Sequence, residues 1–260
     1  TNMGDFLDIL AADAKRTVSE GYYQIGHDAP RSTLSMRRAI EECPVNAIIS
    51  EIKKASPTLG LIRTRIDLSV TAMEMVDGGA TGISVLTEPV HFNGELDSIR
   101  IVRGAVEAPI LMKDFFVDPV QVEAAFKAGA DAILLIMALF DRRHCKDSLE
   151  EMILLAHGMG LEVLLETHTD EEFRGALRTE ADLIGINNRN LKTLEVDLGV
   201  TERILESRDT VDRVIVSESG FKVPQDVTRV KETGARAFLI GSALMQTDDI
   251  REAVRRFVQA

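Results

Sequence analysis

The feature that most limits what this chain can fold into is a repeated alternation. Short apolar runs recur at 47–53, 82–87, 110–115, 132–138, 161–166, 183–187, 213–217 and 237–241. Each has the length of a strand and carries Ile, Val and Leu at successive positions rather than at every second one. Apolar side chains on both faces mark strands of a parallel sheet that is covered on both sides. Between the runs lie longer segments with helical spacing. Over 118–128, Asp118 stands where an N-cap belongs and Pro119 where a helix begins. Val122, Ala125 and Phe126 then form an apolar stripe, and Gly129 follows as a C-terminal stop. Thr169-Asp170-Glu171-Glu172 predicts a capping box at the start of another helix.

The joint between helix and strand is itself repeated. Gly79-Ala80-Thr81-Gly82-Ile83, Gly129-Ala130-Asp131-Ala132-Ile133 and Gly234-Ala235-Arg236-Ala237-Phe238 have one pattern, and Glu180-Ala181-Asp182-Leu183-Ile184 is a weaker copy. One step repeated along a chain implies one architecture built from one unit. Strand–helix units of this number and length predict a closed (β/α)8 barrel. An open doubly wound sheet competes, but it carries its glycine fingerprint after the first strand, where this chain has Glu51-Ile52-Lys53-Lys54. The expected organisation is a single domain over 1–260, with an N-terminal helical extension over 1–46 and the barrel over 47–260. Phe6, Leu7, Ile9, Leu10 and Ala14 predict an amphipathic helix in that extension. Its simplest role is to cover the bottom or side of the barrel, with a place near the active site as the alternative. Ile250, Val254, Phe257 and Val258 fall on one face of a last outer helix.

A net charge of −12 argues against nucleic acid or an anionic membrane as a partner and leaves an anionic small substrate open. No apolar stretch approaches the roughly 18 residues of a membrane span. Residues 1–5 show no leader pattern, so a reducing cytoplasm is the expected location. Cys43 and Cys145 lie apart from any CxxC or Cys/His cluster and read as buried thiols, not as metal ligands or a disulfide.

In barrels of this kind active sites lie at the carboxyl ends of the strands. Applied to the runs above, that rule selects Glu51 and Lys53 from the first strand and Lys113 from the third. It adds Glu166 from the fifth, Asn187 with Arg189 beyond it from the sixth, and Glu218 from the seventh. Glu51 and Lys53, two apart, would share a face of their strand, with Lys113 and Glu166 facing them across the barrel mouth. A single such residue is more often half of an ion pair than a catalyst. Two lysines and three glutamates meeting at one mouth are harder to explain by stability, because buried charge is costly there. Coupled acids and bases are what proton transfer uses. Ser219-Gly220 and Gly241-Ser242 follow the seventh and eighth strands, where this fold binds phosphate. Ser56 and Lys53 could reach the same pocket. Phe92 and Phe115 could line an apolar pocket for an aromatic ring. His168 reads as a loop residue beside a helix cap, and Arg142-Arg143-His144 as a solvated loop.

These residues carry a family likeness. Glu51-Ile52-Lys53-Lys54-Ala55-Ser56-Pro57, Leu111-Met112-Lys113-Asp114-Phe115, Leu165-Glu166, Ile186-Asn187-Asn188-Arg189-Asn190-Leu191, Ser217-Glu218-Ser219-Gly220 and Ile240-Gly241-Ser242 occur in the order found in indole-3-glycerol phosphate synthases, which the chain resembles from 47 to 245. Thr58-Leu59-Gly60, Asn190 and Glu95 depart from that pattern. The resemblance implies 1-(2-carboxyphenylamino)-1-deoxyribulose 5-phosphate as substrate, and indole-3-glycerol phosphate, carbon dioxide and water as products. It implies no cofactor and no metal. Attack of an aryl carbon on a ketone needs an acid at the carbonyl oxygen, for which Lys113 is the candidate. Glu166 is the candidate base. Lys53 would anchor substrate, act as a second acid, or do both. Glu51 is a further group available for proton transfer, and Asn187, Arg189 and Glu218 would orient the anilino group and the sugar chain. Ser56, Ser219, Gly220, Gly241 and Ser242 would hold phosphate. The competing readings are another phosphosugar-binding barrel, either an isomerase or a Schiff-base aldolase, and a non-catalytic phosphate-ligand binder on the same fold.

Overall fold

The computed structural model describes residues 5–26, 28–32, 34–63, 65–206 and 212–260. Eight parallel strands close into a barrel. They are β1 Ala47–Ile52, β2 Gly82–Leu86, β3 Ile110–Lys113, β4 Ala132–Ile136, β5 Glu162–Thr167, β6 Leu183–Asn187, β7 Ile215–Glu218 and β8 Ala237–Ile240. Each pairs with its neighbours in sequence, and β1 closes the ring by pairing with β8 from Ala47↔Ala237 to Ser50↔Ile240. Helices follow the strands and pack outside. At the three strong copies of the repeated joint the glycine has a left-handed backbone, with φ of 104° at Gly79, 96° at Gly129 and 105° at Gly234. A side chain would be strained at each of these positions.

Two layers of core follow from the two-residue period of a strand. Ile48 and Ile52 face outward to the helices, and Ala47 and Ile49 face into the barrel. Leu111, Leu164, Leu183, Val216, Ala237 and Leu239 share that interior. Counting on by two from these positions reaches Glu51, Lys113, Glu166, Gly185, Asn187, Glu218 and Gly241. The pleat that fills the barrel with aliphatic side chains therefore sends its polar residues to the mouth.

Residues before β1 do two different jobs. The helix Phe6–Ser19 buries Leu7, Leu10, Ala11 and Ala14 and lies over the carboxyl ends of the strands, where Phe6 and Leu10 line the pocket that also holds Lys113. This places it at the active-site end rather than at the bottom or side. Polar side chains hold it: Arg142 reaches Asp5 at 2.6 Å and Asp8 at 3.1 Å, His144 reaches Asp8 at 2.8 Å, and His91 reaches Asp13 at 2.8 Å. Arg142 and His144 are thus fastening residues, and only Arg143 of that run is exposed to solvent. The helix Met36–Glu42 closes the other end. Its Met36 occupies the space a Cβ would need on Gly82, the first residue of β2. Glu162, the first residue of β5, accepts the hydroxyl of Ser35 and the Arg37 N–H.

The helix Pro119–Ala128 has Asp118 as its cap and Gly129 as its left-handed stop, as its sequence requires. The cap at Thr169 differs from expectation. Thr169 accepts the Glu172 N–H at 3.1 Å, but Glu172 turns its own carboxylate to the His168 N–H at 2.6 Å. Cys43 and Cys145 are half-buried rather than fully enclosed. The last helix, Ile250–Val258, buries Ile250, Val254, Phe257 and Val258. Among the described residues no helix is long and apolar enough to cross a membrane.

Candidate active site

Glu51 is the hub of the barrel mouth. Its Oε1 lies 3.1 Å from Lys53 Nζ, and its Oε2 lies 2.9 Å from Lys113 Nζ and accepts the Ser84 hydroxyl at 3.2 Å. Lys113 therefore joins Glu51 directly instead of facing it across the mouth. Burial pushes the Glu51 carboxyl up, but the ammonium groups of Lys113 and Lys53 bring it down to about 2. Burial would strip Lys113 of its proton, but Glu51, Glu218 and Glu166 outweigh it and hold its pKa above the ordinary lysine value. The charged form of Lys113 is the stored form.

Glu166 and Glu218 are a second unit, on β5 and β7 with β6 between them. Glu166 Oε1 accepts Asn187 Nδ2 at 3.0 Å and lies 3.1 Å from His168 Nε2. Burial raises its pKa, while His168 and Lys113 lower it to about 2. Burial and the charge of Glu166 push Glu218 well above the usual carboxyl range. Two neighbouring carboxyls thus share protons unequally, with the proton favoured on Glu218 and the charge on Glu166. The Glu218 carboxyl fits because Gly185 beside it has no Cβ, which would collide with Oε1.

Two chambers open from this cluster. The first is lined by Phe92, Phe115, Leu134, Ile136, Phe6 and Leu10, with Lys53, Lys113, Glu166, Asn187 and Arg189 at its polar side. The Phe92 and Phe115 ring centroids lie 6.1 Å apart. The second is lined by Ser219, Gly220, Gly241 and Ser242 with Lys53, Lys113 and Arg189. Lys53, Lys113, Arg189 and Ser219 border both chambers. Ser56, expected with the phosphate loops, faces the apolar chamber, where its hydroxyl accepts the Leu59 N–H at 3.1 Å. Thr58 borders the second chamber in its place. Ser219 and Gly220 both have left-handed backbones, with φ of 69° and 96°. Gly241 has a further reason to be glycine: a Cβ there would lie 2.9 Å from Glu51 Oε1. Arg189 is held by its N–H to Asn187 Oδ1 at 3.0 Å and by its guanidinium to the Leu194 carbonyl at 2.9 Å.

Asp114 is a site neighbour that the strand-end rule passes over. It is buried and accepts the Thr87 hydroxyl at 2.7 Å, the Tyr23 hydroxyl at 2.9 Å and the Phe115 N–H at 2.8 Å. Burial moves its carboxyl up to about 6. Its sequence signals are adjacency to Lys113 and its place in the Leu111-Met112-Lys113-Asp114-Phe115 stretch. Among the described residues no group of three His, Cys, Asp or Glu side chains is placed to hold a metal ion.

The closed barrel and the buried acid–base cluster at the carboxyl ends of its strands define a (β/α)8-barrel enzyme. Comparison narrows the class. The family profile described as "Indole-3-glycerol phosphate synthase" matches residues 8–257, and the chain belongs to that family. The enzyme of that name from Rhodospirillum rubrum is 43% identical over 232 residues, covering 89% of this chain and 86% of its own. That of Bacillus mycoides is 37% identical over 249 residues, covering 95% and 96%. Among solved structures, the thiamine phosphate pyrophosphorylase of Pyrococcus furiosus superposes with a TM-score of 0.61 at 19% identity, covering 86% of this chain and 96% of its own. That likeness concerns the fold alone.

Proposed function

We propose that this chain closes the indole ring, converting 1-(2-carboxyphenylamino)-1-deoxyribulose 5-phosphate to indole-3-glycerol phosphate, carbon dioxide and water in tryptophan biosynthesis. The observation that carries the assignment of roles is the position of Lys113, a protonated lysine shared by an apolar chamber and a cationic one. The carboxyphenyl ring fits the apolar chamber that Phe92 and Phe115 line, and the phosphate fits the loops at Ser219-Gly220 and Gly241-Ser242. The ketone then falls between the chambers, within reach of Lys113.

The aryl carbon bearing the carboxylate attacks the ketone carbon, and Lys113 gives its proton to the developing alkoxide. Loss of carbon dioxide returns the electron pair to the ring. Departure of the hydroxyl as water and removal of one proton complete the indole. Glu166, ionised and facing the apolar chamber, is the base for that last proton. Lys53 anchors substrate anions and is the second proton source, while Asn187, Arg189 and Glu218 orient the anilino nitrogen and the sugar chain. Glu51 keeps both lysines in place. These steps involve proton transfers and carbon–carbon bond changes with no net oxidation. The reading extends to one catalytic unit spanning the chain, working in the cytoplasm on a small phosphorylated substrate, without nucleic acid or membrane.

Adding the anilino-ribulose phosphate to folded protein and following indole absorbance and fluorescence tests the assignment, and absence of an indole signal sinks it. Lys113→Ala is expected to lower kcat by about 10²–10⁴-fold, the usual worth of a positioned acid, with KM little changed. Near-normal turnover would remove Lys113 from the acid role. The Schiff-base reading is disfavoured by the same charge, since a nucleophilic amine must be neutral. Borohydride with a phosphosugar should leave Lys113 unmodified.

A further inference from the structure

His168 takes no part in the steps above, yet its side chain is only 9% exposed and lies between two carboxylates. Nε2 is 3.1 Å from Glu166 Oε1, and Nδ1 is 3.5 Å from Glu172 Oε2. Glu172 also accepts the His168 backbone N–H at 2.6 Å, so its carboxylate is fixed beside the ring, although neither ring nitrogen has a hydrogen bond of regular geometry. Glu172 belongs to the first turn of the helix Asp170–Ala176, whose positive end favours a carboxylate. A line of alternating charge therefore runs from the outer helix, through the ring, to the barrel mouth.

We propose that His168 is a positioning residue whose imidazolium, gripped by Glu172, fixes the Glu166 carboxylate in orientation and in its ionised form for the base step. The inference rests on the role of Glu166 given above. Two carboxylates within 3.1 and 3.5 Å of the ring nitrogens favour the charged ring, which can turn an N–H toward each. Burial works against that charge, but Glu166 and Glu172 raise the ring to about 9. After the opposing effect of burial, His168 is the largest influence on Glu166. The groups facing Glu166 are His168 from its own strand end, Lys113 from β3, Asn187 from β6 and Glu218 from β7. Facing the ring are Glu166 and Glu172, and Asp141 adds its negative charge near Glu172 from the short helix Met137–Asp141. Lys113 is shared with Glu51 and His168 with Glu172, and of the two His168 has the larger effect on Glu166.

The sign of the effect follows. Glu166 acts ionised, and a cation beside it lowers its pKa. Removing that cation raises the pKa and moves the acid limb of the kcat profile to higher pH. The test compares kcat and KM across pH for E166Q, H168Q and E172Q, with the ¹⁵N resonances of the His168 ring followed in the unaltered enzyme. Expected are a loss of at least about 100-fold in E166Q and of about tenfold in H168Q near neutral pH. The acid limb of H168Q should rise by about one pH unit, with KM within about twofold of normal, and E172Q should shift the same way by less. A structural cap alone would lower stability and leave the acid limb in place. If E166Q is inactive while H168Q keeps the normal kcat and acid limb, the positioning role falls and the base role of Glu166 stands. If E166Q turns over normally, the base role itself falls and takes this inference with it. The resonances decide the matter even where H168Q fails to fold. A ring doubly protonated at pH 7 supports the proposal, and a neutral one overturns it.

Discussion

Gly241 and Glu51 fix one another although they come from opposite ends of the sequence. The carboxylate that holds Lys53 and Lys113 lies against the glycine, 3.4 Å from its hypothetical Cβ at Cγ and 2.9 Å at Oε1. Gly241→Ala should drive Glu51 off its two lysines. A displacement near 1 Å at a catalytic group costs up to about 10²-fold, and overpacking costs about 1–3 kcal/mol. Both are measurable, by kcat at saturating substrate and by urea unfolding, and an unchanged kcat would show that Glu51 tolerates the shift. The strand ends could be read from sequence because a pleat alternates strictly: once Ile49, Leu111 and Leu164 face inward, Glu51, Lys113 and Glu166 follow. The same rule passes over Asp114 and His168. Asp114 matters through Tyr23 and Thr87, 91 and 27 residues away, and His168 through a glutamate that looks from sequence like half of a capping box. Contacts of that kind depend on where distant loops come to rest, which local pattern does not encode.

The helix Phe6–Ser19 makes the same point for whole elements. Its apolar stripe announces a buried face but not the end of the barrel that will bury it. What marks the mouth is a set of side-chain contacts from Arg142, His144 and His91, in the loops after β2 and β4, to the acidic residues of the helix and its cap. Those partners lie 134 to 137 residues away for Arg142 and 78 for His91. Arg142→Ala removes the contacts to Asp5 and Asp8 and leaves His144 and His91 in place. Pairs this exposed are worth about 0.2–1 kcal/mol each. Hydrogen exchange across the helix should therefore quicken by a few-fold, and KM should rise because Phe6 and Leu10 form part of the apolar chamber. Turnover at saturation should hold, since no proton donor is disturbed. A fall in kcat with unchanged KM would contradict the assignment of this helix to substrate enclosure.

For the molecule as a whole, the buried carboxyls set how stability responds to acid. Glu51 and Glu166 are held near 2, below the ordinary 4.5. Their contribution is present above 4.5 and is lost as pH falls from there through about 2. Asp114, raised to about 6, and Glu218, raised well above its ordinary range, act the other way: they favour the fold at low pH and cease to as pH rises through their folded values. Melting temperature should accordingly fall steeply below pH 4.5, and Glu51→Gln should flatten that descent while lowering stability at neutral pH by leaving Lys113 without its carboxylate. Equal acid slopes in the two proteins would show that Glu51 is not held down.

The pairing of β1 with β8 joins Ala47 to Ala237, nearly the full run of the barrel. A nascent chain emerges from the ribosome in order, so the strand carrying Glu51 is made before the strand and glycine that wall it in. Long-range parallel pairing is slow to form. The pocket around Glu51 and Lys113 is therefore a product of ring closure: the wall that β8 supplies, Gly241 included, is in place only once β1 and β8 have paired.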